Sequence, residues 1–160
     1  MADPFSIAAG AVAISETGIR LANTIYDACK AEKQLEPLAD HVRSTSTVLK
    51  HIESHLRDES STKHFKAELY DETERVLERC TKAFADLDEY IASLFKHDGR
   101  GGRKLSAAVR LTWNWRRKDI AAREIHLERS HAALNRLLTV MIFVSSTRYV
   151  FSSPIHLYQC

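Results

Sequence analysis

Proline and glycine are scarce in this chain, three and five among 160 residues. That scarcity excludes collagen-like and low-complexity chains, and with 44% hydrophobic and 28% charged residues it points to an ordered, helix-rich fold. Cysteine is sparse as well: Cys29, Cys80 and Cys160 are odd in number, widely spaced and free of any CxxC pair, which argues against a disulfide framework or a zinc site and for a reducing compartment. No uncharged run reaches the roughly 18 residues that span a bilayer, and Asp3 stands where a secretory signal needs positive charge, so synthesis in the cytosol is expected. A net charge of +2 selects no partner. Neither strand alternation over a useful length nor an internal repeat is present. A chain of this size forms one domain and buries about 68–70% of its unfolded surface.

What is there is helical periodicity. Asp3-Pro4 is a start signal, because a short carboxylate accepts orphan N–H bonds and proline suits the first helical position. Ile7, Ala11, Ile14, Gly18, Leu21 and Ile25 follow at spacings of four and three, with Ser6, Gly10, Gly18 and Ala22 at small-residue steps that let another backbone approach. From Pro4 to Ser15 this first helix carries no charge. Glu36-Pro37 opens a second helix, in which Leu35, Leu38, Val42, Thr45, Leu49, Ile52 and Leu56 fill every a and d position of three heptads. A third is expected from about Lys63 to Lys96, with a broad face from Leu69 through Val76, Cys80, Leu87 and Tyr90 to Leu94, and with Asp71–Arg75 and Glu78–Lys82 paired outside. The glycines between His97 and Arg103 read as a flexible loop. Helical spacing returns from Leu105 to Val144, with Ile120, Leu127, Leu134, Leu138 and Met141 inward and Trp113 to Lys118 as the place where this last helix can break. Beyond Thr147 the spacing lapses, and Pro154 would break any continuation.

Signatures of catalysis are missing. His51 and His55 lie one turn apart, but Ile52 stands where the zincin motif needs glutamate, and no third ligand is evident. Gly99 to Ser106 has neither the glycine-to-lysine spacing nor the preceding strand of a phosphate loop. His131 and Glu124 share the inner stripe of the last helix, where a lone histidine is ordinarily a hydrogen-bonded core or boundary group. The expectation is a protein that is not an enzyme and has no cofactor, no metal and no small-molecule substrate.

Between residues 99 and 118, Arg100, Arg103, Lys104, Arg110, Arg116, Arg117 and Lys118 occur without an acid, interleaved with Trp113 and Trp115. Tryptophan favours the membrane–water interface and cations favour anionic lipid. The same ingredients grip phosphates and stack on bases. A solvated loop leading into a core helix is the plain alternative.

With these elements placed, the opening Met1-Ala2-Asp3-Pro4-Phe5-Ser6-Ile7-Ala8-Ala9-Gly10-Ala11-Val12 closely resembles the start of the fungal N-terminal domain of STAND proteins, the NLR-like receptors, also called HeLo-like or the azaphilone pigment cluster protein N-terminal domain. The likeness continues through the long helices to about Met141, including Trp113 to Lys118 and Leu127, Leu134 and Leu138. It implies a helical bundle used as a signalling or effector module, with programmed cell death by membrane disruption in the related HeLo class. Glu16 and Arg20 depart from an uninterrupted apolar helix and weigh against a lone spanning one.

These readings predict an all-α fold, an antiparallel bundle of four long helices over residues 1–147 followed by a weakly ordered tail over 148–160. The expected function is non-catalytic signalling by self-association or membrane contact through the first helix, at Phe5, Ile7, Gly10, Ile14 and Gly18. Arg110, Trp113, Trp115, Arg116, Arg117 and Lys118 are the expected contacts with an anionic surface. The expected setting is cytoplasmic, peripheral at membranes in an active form. A structural protein-interaction bundle and a basic nucleic-acid binder are the alternatives.

Overall fold

The computed structural model describes residues 3–29, 33–58, 62–63, 65–97, 103–105 and 113–151. Asp3 starts the chain as the sequence predicts: its carboxylate accepts the Ser6 N–H at 3.2 Å, and helix α1 runs Pro4–Cys29. A single 3-10 turn, Lys33–Leu35, leads into α2, Glu36–Arg57, with Pro37 in its first turn. Every one of the seven heptad positions from Leu35 to Leu56 is buried. Helix α3, Ala67–Leu94, buries Thr73, Val76, Leu77, Cys80, Phe84, Leu87, Tyr90, Ile91 and Leu94, so its broad face does meet two neighbours. Helix α4 spans Trp113–Phe151.

The result is an all-α four-helix bundle. Helix α1 packs against α2 and α3, and α4 packs against the same two from the opposite corner. Ser15 reaches Ser46 and Tyr26 reaches Asp40, so α1 and α2 are antiparallel; Tyr90 reaches Arg116 and Asp119 while Asp86 meets Arg123, so α3 and α4 are too. Ile7 and Gly10 stand level with Glu74 and Leu77, and Gly18 with Phe84, so α1 and α3 run side by side in one direction. Successive helices alternate, and the two hairpins are laid together with α1 beside α3 and α2 beside α4.

Three sequence expectations are revised. Helix α3 ends at Leu94, and Phe95–His97 (β1) pairs antiparallel with Arg103–Leu105 (β2) in a short ladder. The Asp98-Gly99 and Gly101-Gly102 dipeptides are hairpin signals, so pairing rather than a free loop accounts for the flanking backbone groups; residues 98–102 themselves lie outside the described residues. Helix α4 is continuous from Trp113 through Lys118 onward; residues 106–112, where the expected break would be entered, lie outside the described residues, and Leu105, expected in the last helix, belongs to β2. At the other end α4 passes Thr147 and runs to Phe151, because neither glycine nor proline interrupts Arg148-Tyr149-Val150; residues 152–160 lie outside the described residues.

Outer ion pairs also differ in part. Glu78 and Lys82 pair at 2.8 Å, and the lysine holds the Glu78 carboxyl below its ordinary value. Arg75 turns instead to Glu72 at 3.5 Å and gives Asp71 only a bond to its backbone carbonyl. At i,i+3 and i,i+4 both acids are within reach, and an exposed pair of this kind contributes little either way.

Candidate functional site

The five residues picked out on α1 divide between two faces. Ile7 is buried at 5% exposure and belongs to the core, and Ile14 is half-buried against it. Gly18 is a packing residue: a methyl there would overlap the Ser46 hydroxyl and the Phe84 ring, so its lack of a side chain is what lets α2 and α3 close on α1 at one level. Beside it, buried Ser15 donates to the Ser46 carbonyl at 3.1 Å. Gly10 has open space where a side chain would project, and Phe5 is 62% exposed. The outward side of the first three turns is Phe5, Ser6, Ala9 and Ala13, with Val12 half-buried at its edge, and it carries no charge until Glu16. By length and composition Pro4–Ala28 could cross a membrane, a test that core helices also pass.

Phe5 has company. The other large exposed apolar side chains among the described residues are Ile125, Val140, Ile142 and Phe143, the last at 67%. At the end of the bundle where α1 begins, α2 stops, α3 starts and α4 runs on for about two further turns, counting from the level of Thr45 and His131. Phe5, Val140, Ile142 and Phe143 therefore share one end. Sequence reasoning missed the α4 members, although Met141-Ile142-Phe143-Val144 gives the signal. A helix turns 3.6 residues per revolution, so four successive apolar residues cannot all face one core. Met141 is fully buried and its two neighbours point outward.

The basic segment occupies the other end. Arg110 lies outside the described residues. Trp113 and Trp115 open α4. Arg116 is half-buried and its carbonyl accepts the Tyr90 hydroxyl at 3.3 Å, while Arg117 and Lys118 are exposed. Burial is the main cause holding the Tyr90 phenol above its ordinary value, and the Arg123 guanidinium lies 4.0 Å over its ring while pairing with Asp86. Since α4 begins level with the end of α3, this cluster is separated from Phe5 by most of the length of the bundle and sits at the corner diagonal to α1. The two sets of candidate residues are not one surface.

Polar groups between the helices are structural joints. The Thr45 hydroxyl lies 2.9 Å from the His41 carbonyl, to which it donates, and 3.1 Å from the His131 Nδ1. The His41 ring stands edge-on to His131 with centroids 5.4 Å apart. Burial, and then the neighbouring His41, hold His131 below the ordinary histidine value of 6.5. Tyr26 donates to Asp40, which raises the phenol, and the Arg43 guanidinium stacks 4.7 Å over the Tyr26 ring. Burial pushes the Cys80 thiol up to about 12, far from the thiolate that a nucleophile or metal ligand requires. Among the described residues no group of three or more His, Cys, Asp or Glu side chains converges on a point that could hold a metal. No family model, curated protein or solved structure matches the chain.

Proposed function

We propose that this chain is a non-catalytic helical signalling or effector domain of the kind its HeLo-like resemblance implies, acting by self-association or membrane contact through the amino-terminal half of α1. The observation that carries the reading is the apolar end of the bundle, where the uncharged start of α1 exposes Phe5 and the far end of α4 exposes Ile142 and Phe143. The two sets lie level with each other at diagonal corners of the bundle, and the uncharged outward face at the start of α1 is by itself a place for another copy or a lipid interface.

The outward face works with α1 still docked. Releasing the helix would expose Ile7, Leu21 and Ile25, at about 1.5–3 kcal/mol each, and would open the Gly18 contact besides. That sum, about 4.5–9 kcal/mol, is a large part of the roughly 5–15 kcal/mol stability of a typical domain, whereas contact through Phe5, Ala9 and Ala13 requires no unpacking. Deleting residues 1–15 would remove core side chains along with the surface, so substitutions that touch only the surface are the better probe.

The test compares wild type with Phe5→Gln/Phe143→Gln, each fused to a multimerising tag, for dye release from anionic and neutral vesicles, and follows the untagged proteins by sedimentation velocity. Wild type should release dye or self-associate, and the double variant should lose that behaviour with an unchanged denaturation midpoint. Equal behaviour of the two proteins, or none from either, would sink the proposal.

A second reading, a protein-interaction bundle, draws support from a different feature, the open groove between α3 and α4.

A further inference from the structure

Helices α3 and α4 leave a trench along their outer seam. Leu69 and Val76 from α3 and Leu137 and Val140 from α4 line a groove of about 570 Å³. Val76, Arg79 and Ala133 carry it on into a second recess of about 410 Å³ that reaches Asp86 and His126. Measured along α3 from Glu68 to Asp86 at 1.5 Å per residue, the trench is about 27 Å long, enough for roughly eighteen residues of helix.

The walls are charged unevenly. Arg79 rises from α3 and Arg129 and Arg136 from α4, and among the described residues none of the three forms an ion pair. The acids nearby are mostly engaged elsewhere: Glu72 holds Arg75 at 3.5 Å and Asp86 holds Arg123 at 3.2 Å, with Glu68 remaining at the Phe65 end. The walls are helices whose backbone groups are spent internally, so an extended strand finds no edge to pair with. An apolar floor between cationic walls suits a helix whose apolar stripe is flanked by carboxylates, and it repels one flanked by lysines.

We propose that this groove is the docking site for an acidic amphipathic helix of a partner protein. Apolar residues three and four apart seat on Leu69, Ala133 and Val140, and the flanking carboxylates lie toward Arg79 on one side and Arg129 and Arg136 on the other. The groove does not include the outward face of α1, and although Val140 borders both it and the apolar end, the proposal does not rest on the reading above.

A displayed library of eighteen-residue helices, with the apolar stripe fixed and the flanking positions varied among Glu, Gln and Lys, tests it on the full chain. Selection should enrich glutamate at the flanks. A selected soluble peptide should bind at least ten-fold more weakly to Arg79→Glu/Arg129→Glu and to Val140→Asp, and undiminished to Phe5→Gln. The Arg79→Glu/Arg129→Glu protein should in turn prefer the lysine-flanked peptide, which also shows that it is folded. Absence of binders, no preference among flanking residues, or binding indifferent to the groove substitutions would overturn the proposal. So would arginine-dependent binding of phosphatidylserine vesicles by a chain that takes none of the peptides.

Discussion

Gly10 and Gly18 belong to one small-residue series in the sequence, yet they do opposite things. At Gly10 the space for a side chain is open, and a helical glycine is disfavoured by about 0.5–1 kcal/mol against alanine. Gly10→Ala should therefore stabilise the protein by about that amount. At Gly18 any Cβ meets Ser46 and the Phe84 ring, and Phe84 is itself buried. Gly18→Ala should destabilise, by about 1–3 kcal/mol as for other overpacked cores, and Gly18→Val by more. Chemical denaturation of the variants checks this, and midpoints that move in the same direction would contradict it. The spacing made both glycines visible; what separates them is a phenylalanine far away in the chain, which no local pattern can supply.

Among the elements, α2 was the most legible, since its heptads demand one buried stripe and that stripe is what packs. The two ends of α4 were hard to read for opposite reasons. Upstream, the residues before Trp113 keep helical spacing although Leu105 pairs as a strand, because a short ladder has too few residues to show its own period. Downstream, Ile142 and Phe143 were not singled out; Met141 takes the core-facing position of that turn, and the rotation of the helix carries the residues beside it outward.

Helices α2 and α4 also meet through His41, Thr45 and His131, a joint that the sequence showed only as separate residues. With His131 held below 6.5 in the folded protein, the unfolded chain takes up the proton first as the pH falls. The stability this neutral imidazole contributes is present above about pH 6.5 and is lost as the pH drops toward the folded value. Urea midpoints measured at pH 7.5 and 5.5 should fall for wild type and fall less for His131→Gln. Equal losses in the two proteins would show that His131 is not linked to folding.

At the scale of the whole molecule, the arrangement of the four helices decides what the candidate residues can do together. The resemblance and the periodicity led to a four-helix bundle, and the bundle is there. They did not reveal that Arg116 to Lys118 and Phe5 sit at opposite ends and diagonal corners, since that follows from which hairpin lies beside which. Nor did they reveal the α3–α4 groove, whose walls are drawn from segments about sixty residues apart. A flat membrane taking up the apolar end leaves the basic segment remote, so Arg116→Gln/Arg117→Gln/Lys118→Gln should not substitute for the loss of Phe5.

We propose that the amino-terminal turns of α1 make the contact while the helix stays in its place in the bundle. Amide hydrogen exchange along α1, with the protein free and then bound to anionic vesicles or driven to associate, tests it most directly. The expected result is added protection over Phe5 to Ala13 and unchanged slow exchange from Gly18 to Ala28. Loss of protection from Gly18 onward would mean that α1 leaves the bundle, and no change over Phe5 to Ala13 would mean that this face touches nothing.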